Sequence, residues 1–223
     1  MSRQLRLEFG RRTSFSRSDF VVGATNRHAL SAIESWPSWT SGCLAVYGPS
    51  AVGKTHLAHI WTDLSAACVL DRRQIEPASL PGPAILIEDV DQGIDSETLF
   101  HLINMAGRGD ISLLLTSRTP PFSWQANLPD LRSRLNAMPV AEILEPDDTV
   151  LEAILRKHFT ELSLRPPEDL IPYLLRRMER SAPAARDIVM AMDELADLSQ
   201  RPISRLLAKQ ILEKDAENID LFE

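Results

Sequence analysis

Apolar residues fall into two regimes along the chain, with the change near residue 145. Before it, they come as short, nearly unbroken runs: Cys43-Leu44-Ala45-Val46-Tyr47, Ala84-Ile85-Leu86-Ile87, and Ile111-Ser112-Leu113-Leu114-Leu115-Thr116. Runs of this length without alternation predict strands buried on both faces, as in a parallel sheet. The first run stops at Gly48, the second at Glu88-Asp89, and the third at Ser117-Arg118-Thr119-Pro120-Pro121. Helical periodicity lies between them, over residues 56–64 and 96–106, with Ser96 as the expected N-cap of the latter. A further short helix is expected around residues 26–30, ahead of the break at Trp36-Pro37-Ser38-Trp39. Strands alternating with helices call for a sheet covered on both sides.

Beyond Glu145-Pro146-Asp147-Asp148 no strand pattern remains. Val150, Leu151, Ile154, Leu155, Phe159 and Leu162 form one helical stripe, and Leu170, Leu174, Leu175 and Met178 form a second. Pro172 is compatible with that second helix only in its first turn. A third helix is expected after Ser181, through Ile188, Met192 and Leu195, and a last one over residues 203–212. The expected architecture is an α/β base over residues 19–145 with a small all-helical appendage over 146–223, preceded by an arm of residues 1–18.

Composition narrows this picture. The 223 residues are 44% hydrophobic and 25% charged, as in ordinary globular proteins. No apolar run approaches the ~18–20 residues that span a bilayer, and the N-terminus lacks a signal-peptide core, so no membrane role is expected. Cys43 and Cys68 lack ligand-like spacing and read as small hydrophobes in a reducing, cytoplasmic setting. The net charge of −7 argues against coating nucleic acid. Yet the arm holds Arg3, Arg6, Arg11, Arg12 and Arg17 against Glu8 alone, which sets a basic segment on an acidic body. Such an arm either meets a partner or is simply a solvated tail.

Chemistry enters with Gly48-Pro49-Ser50-Ala51-Val52-Gly53-Lys54-Thr55, a complete G-x-x-x-x-G-K-[ST] between an expected strand and an expected helix. In that setting the loop's N–H groups and the helix N-terminus face phosphate oxygens. Lys54 adds a point charge, and the Thr55 hydroxyl suits Mg²⁺. Ile85-Leu86-Ile87-Glu88-Asp89 has the form of a Walker B strand, with carboxylates where open α/β sheets bind ligands. Glu88 is the expected Mg²⁺ ligand and Asp89 the group that polarises the attacking water. Arg118, Arg134 and Arg186 are of a residue type suited to phosphate, although spacing alone reads each as a surface arginine. His56 and His59 stand at i, i+3 without a nearby carboxylate or cysteine, which favours packing over metal binding.

These motifs, in this order, resemble the AAA+ domain of the bacterial replication initiator DnaA over about residues 19–212. Phe20-Val21-Val22-Gly23-Ala24-Thr25-Asn26-Arg27 is similar to that family's segment ahead of the P-loop, and Leu114-Leu115-Thr116-Ser117 with Pro120-Pro121 is similar to its sensor 1 strand. Leu131-Arg132-Ser133-Arg134-Leu135 resembles its box VII, whose last arginine is a finger offered to a neighbouring subunit, and Ala185-Arg186-Asp187-Ile188 resembles its sensor 2. In the arm, Gln4-Leu5-Arg6-Leu7-Glu8-Phe9 resembles the peptide that docks on the DNA polymerase III sliding clamp (beta subunit), with Gln4, Leu5, Leu7 and Phe9 as anchors. With no residues left after Glu223 for a helix-turn-helix domain, the layout resembles the Hda/HdaA family, the regulatory inactivators of DnaA.

The resemblance implies a three-layer AAA+ P-loop base with a helical lid. It implies ADP or ATP with Mg²⁺ on residues 48–55, with His56 and Val22 beside the nucleotide and Arg186 reaching it from the lid. It also implies DnaA and the clamp as partners, no sequence-specific DNA reading by the chain itself, and room for a homo-oligomer. The implied role is indirect: on DNA-loaded clamp, Arg134 acts in trans on ATP held by DnaA, so that initiation is shut off. The order Glu88-Asp89 and Arg118, where that family carries aspartate, imply weak turnover at the chain's own site. A helicase loader of the same AAA+ branch is the alternative, against which the clamp-like peptide speaks.

Overall fold

The computed structural model describes residues 15–219, with side chains described as far as residue 213. Five parallel strands form one sheet in the order β2-β3-β4-β1-β5. They are β1 (Cys43–Tyr47), β2 (Cys68–Leu70), β3 (Ala84–Ile87), β4 (Ser112–Ser117) and β5 (Val140–Glu142). The expected α/β fold class is the one observed. Two strands, β2 and β5, were not predicted. Each has three residues, sits at a sheet edge and leaves a side chain such as Val69 or Val140 exposed, so neither presents an apolar run to read.

Strand alternation sorts side chains onto the two faces of the sheet. Leu44, Val46, Leu86 and Leu114 enter one core layer, where they meet Leu30 and Ile33 of α1 (Arg27–Glu34) and Leu57, Ile60 and Trp61 of α2 (Lys54–Ser65). Ala45, Ile85, Ile87, Leu113 and Leu115 enter the opposite layer, against Leu99, Leu102 and Ile103 of α3 (Ser96–Arg108) and Leu131 and Leu135 of α4 (Pro129–Ala137). Three layers result. The cap of α3 differs from expectation: Asp95, not Ser96, accepts the Thr98 N–H at 2.8 Å, and Ser96 is already helical. A carboxylate at this position also meets the positive end of the helix dipole.

The later residues form α5 (Asp148–Glu161), α6 (Leu170–Leu175), α7 (Ala182–Ser199) and α8 (Arg205–Ile219). Asp147 caps α5 through Val150 N–H at 2.8 Å, and Ser181 caps α7 through Ala184 N–H at 3.2 Å. Pro172 is the third residue of α6, inside its first turn, so it removes no intrahelical bond. The wide stripe of α5 does two jobs. Leu151, Leu155 and Phe159 enter a separate helical core with Leu174, Val189, Met192 and Ala208, whereas Val150 and Ile154 line a cleft facing the base.

Specific polar ties join the helices to the base. Lys157 on α5 donates to the Asp19 carboxylate at 2.6 Å and to the Asp19 carbonyl at 3.0 Å. Where the base runs into α5, Leu144 N–H donates to the Thr25 carbonyl at 3.1 Å. The central strand carries the packing load: Leu114 is fully buried between the neighbours of β4. Leu114→Ala is expected to cost ~2–5 kcal/mol, read as a lower urea midpoint with little change in slope.

Candidate functional site

The C-terminal ends of β1, β3 and β4 are adjacent in the sheet, and each delivers a functional segment to the same edge. From β1 the chain turns through residues 48–53 into α2. Glycine is required at position 48, because a Cβ there would stand 2.1 Å from the Ile143 carbonyl oxygen just past β5. Gly53 has φ +107°, and the next residue opens α2, so the loop hands its N–H groups directly to the helix N-terminus.

Lys54, only 8% exposed, donates from Nζ to the carbonyls of Gly48 at 2.8 Å and Pro49 at 2.6 Å. Burial pushes its pKa below the usual lysine value, the Asp89 carboxylate opposes that shift, and the Arg118 guanidinium adds to it. Asp89 follows β3 with φ +52°, and its N–H donates to the buried Thr116 hydroxyl at 3.1 Å, which ties the ends of β3 and β4 together. Ser117 accepts the Gly48 N–H at 3.3 Å, which ties the end of β4 to the start of the loop.

A cleft of about 920 Å³ opens here between the base and the helices. Of the residues expected at a nucleotide, Ser50, Ala51, Val52, Gly53, Lys54, Thr55, His56, Asp89 and Arg186 line it together, as does Arg118. Gly48 and Pro49 reach the site through their carbonyls on Lys54. Val22 is not among the lining residues: it is 39% exposed, and Val21 lines the cleft instead. Glu88 does not line it either, so of the two strand-end carboxylates Asp89 faces the cleft. Thr55 and Asp89 therefore supply the hard oxygen donors suited to Mg²⁺, the ion that uses few protein ligands and keeps its waters. Arg186, on α7, bonds its neighbour Asp187 at 2.8 Å on the cleft wall.

Arg134 lies elsewhere. Leu131 and Leu135 bury the inner face of α4, which leaves Arg134 exposed on the outer face and away from the cleft lining. No polar partner engages it among the described residues. Gln4, Leu5, Leu7 and Phe9 lie outside the described residues.

Several lining residues were not expected at the site. Phe15, Asp19, Phe20 and Val21 form a strap along the cleft, and Leu144, Val150, Ile154, Lys157 and Met190 close the other side. They come from distant segments: Phe20 and Val21 open the segment ahead of the P-loop, and Val150 and Ile154 belong to the α5 stripe. The strap also accounts for the histidine pair. Phe15 stacks on His59 at 4.6 Å and meets His56 edge-on, Phe20 meets His56 at 5.1 Å, and His56 Nε2 bonds the Ser16 carbonyl at 2.9 Å. A carbonyl only accepts, so Nε2 carries the hydrogen. These histidines pack, and no group of metal-binding side chains occurs among the described residues.

No family model matches the chain. In sequence it is similar to the chromosomal replication initiator protein DnaA of Cutibacterium acnes, at 25% identity over 89% of this chain and 46% of the relative. The chain spans about half the length of the curated relatives it matches. In structure it is similar to domain III of Thermotoga maritima DnaA (TM-score 0.75, 19% identity, 92% of this chain and 97% of that one). It is also similar to AMPPCP-bound DnaA from Aquifex aeolicus (TM-score 0.72, 18% identity, 92% of this chain and 71% of that one). The chain is thus DnaA-related in sequence and has the AAA+ P-loop fold.

Burial depresses the pKa of His56 below 6.5, against a smaller upward push from its bond to Ser16. The unfolded state then takes up the proton first, so the stability tied to neutral His56 is complete above about pH 6.5 and is lost as pH falls through the depressed folded value. His56→Gln, which keeps a donor without titrating, is expected to lower the melting temperature less than wild type does between pH 7.5 and pH 5.5.

Proposed function

We propose that this DnaA-related AAA+ module restrains the initiation of DNA replication by promoting hydrolysis of ATP held by DnaA. Its base is residues 19–145, its helical lid is residues 146–223, and residues 1–18 are a clamp-binding arm. The observation that carries this reading is the separation of its two phosphate-directed parts. The cleft lined by Lys54, Thr55, Asp89 and Arg186 is suited to an adenine nucleotide, while Arg134 is exposed on α4, away from that cleft and unpaired among the described residues. An arginine so placed is of no use to its own site and is available to a neighbour's.

In the docked state Arg134 inserts its guanidinium beside the terminal phosphate of ATP on DnaA and stabilises the charge that spreads over the transferring phosphoryl group. The Pro129 start of α4 and the Leu131 and Leu135 anchors hold the finger on a rigid helix rather than a loop. At the chain's own cleft, Thr55 and Asp89 would hold Mg²⁺, which when bound neutralises phosphate charge. Glu88 does not line the cleft, although its charge still reaches Lys54; that placement, with the order Glu88-Asp89, supports slow turnover by the module alone. The resident ADP or ATP then serves to hold base and lid together, since Arg186 and the α5 side chains meet it from the lid and Lys54 from the base. The similarity to AMPPCP-bound DnaA supports the adenine nucleotide. Gln4, Leu5, Leu7 and Phe9 keep the module on the DNA-loaded clamp, where DnaA is presented to it.

Turnover of DnaA-bound ATP is expected to rise when this protein and DNA-loaded clamp are both present. Arg134→Ala should bind nucleotide and clamp as wild type does yet lose the stimulation, which for a trans arginine finger is worth roughly 10³-fold or more. Full stimulation by that variant sinks the finger mechanism, and brisk ATP hydrolysis by the purified protein alone turns the reading toward a loader or motor. Replacing Gln4, Leu5 and Phe9 together by alanine is expected to abolish clamp pull-down, with undiminished capture counting against the arm.

A further inference from the structure

Arg118 is the residue of the cleft that the reading above leaves without a task. β1 and β4 pair in parallel with Tyr47 opposite Ser117, so Arg118 emerges beside Gly48, the first residue of the phosphate loop. The Gly48 N–H on the Ser117 carbonyl fixes that neighbourhood at 3.3 Å. The backbone of Arg118 is held a second time, by its own N–H to the Asp91 carboxylate at 2.9 Å. Asp91 therefore clamps the main chain of Arg118 and leaves the guanidinium alone. Among the described residues no hydrogen bond or ion pair engages that guanidinium, although it lines the cleft with Lys54, Thr55 and Asp89.

An idle surface arginine has no need of such placement. Its charge lowers the proton affinity of Lys54, against the larger opposite pull of Asp89 and the smaller pulls of Asp91 and Glu88, so Arg118 lies within electrostatic reach of the phosphate-loop lysine. With no carboxylate among the described residues bonded to it, the guanidinium is left able to take an added anion beside that lysine. Lys54 comes from α2, Arg118 from the end of β4 and Arg186 from α7, three elements that converge on one cleft. A planar fork beside an ammonium is suited to the outermost phosphate of a nucleotide, with two oxygens on the guanidinium and a third on the lysine.

Resting on the adenine-nucleotide reading of this cleft, we propose that Arg118 is a resident counter-ion for the outermost phosphate, which lets the chain hold ADP without Mg²⁺. The guanidinium takes over the charge neutralisation that a metal ordinarily provides at such a loop. Thr55 and Asp89 still admit the ion when it is present, but ADP binding does not depend on it. A protein that works by staying nucleotide-bound, rather than by turning nucleotide over, then keeps its geometry through changes in free Mg²⁺.

The test is calorimetric titration of the full chain with ADP, in Mg²⁺ and in EDTA, for wild type, Arg118→Gln, Arg118→Lys and Lys54→Ala, with thermal melts to verify folding. Wild type should bind ADP in both buffers with affinities within a few-fold of each other. Arg118→Gln should lose about 10- to 100-fold in EDTA, the worth of a charge-assisted contact, and much less in Mg²⁺. Arg118→Lys should fall between the two. If Arg118→Gln matches wild type in EDTA, or wild type fails to bind ADP once the metal is removed, the proposal is overturned while the nucleotide reading stands. If Lys54→Ala binds as wild type does, or no form binds ADP in either buffer, the nucleotide reading itself falls and the proposal with it.

Discussion

Lys54 carries its ammonium into a site where 8% of the residue is exposed, and a cation taken from water survives there only with dipoles and opposite charge around it. The carbonyls of Gly48 and Pro49 supply the dipoles and Asp89 the charge. Those groups are placed by two different strand ends, so the comfort of one side chain depends on the register of the sheet. Gly48 follows β1, Asp89 follows β3, and the Thr116 hydroxyl that takes the Asp89 N–H lies on β4. β5 closes the arrangement from the other side, because the Ile143 carbonyl comes so near Gly48 that no side chain fits between them.

From that centre the structure grows outward in both directions. The strap of residues 15–21 lies on α2 through Phe15, Phe20, His56 and His59, and Asp19 reaches across the cleft to Lys157 of α5. Base and helices thus meet around the cleft rather than through a broad apolar interface, since each has its own core. An anion in the cleft would touch Lys54 from below and Arg186 from above, and so bind the two halves to each other.

The same geometry divides the charged residues between the cleft and the outer surface. Asp89 alone of the strand-end pair lines the cleft, Arg118 brings positive charge to that lining, and Arg134 is exposed on α4, outside it. Carboxylates share the cleft lining, with Asp19, Asp89, Glu161 and Asp187 set among Lys54, Arg118, Lys157 and Arg186.

Much of this was readable before any coordinates. The three long apolar runs determined β1, β3 and β4, because strands buried on both faces need unbroken apolar sequence, and the helical stripes and Ser181 determined the helices that follow. The P-loop was legible because its glycines and lysine answer to local backbone geometry. The edge strands β2 and β5 were not, since three residues apiece, with Ala141 alone fully buried, are too short to carry a pattern and pair only because a sheet edge is already there. Tertiary structure alone decided that Asp89 rather than Glu88 faces the cleft, that Val21 rather than Val22 lines it, and that His56 and His59 pack under a strap. It alone brought Arg118 beside Gly48, a juxtaposition of residues seventy positions apart. Which way a side chain points at a strand end depends on neighbours that arrive from elsewhere in the chain, and no local run of residues encodes them.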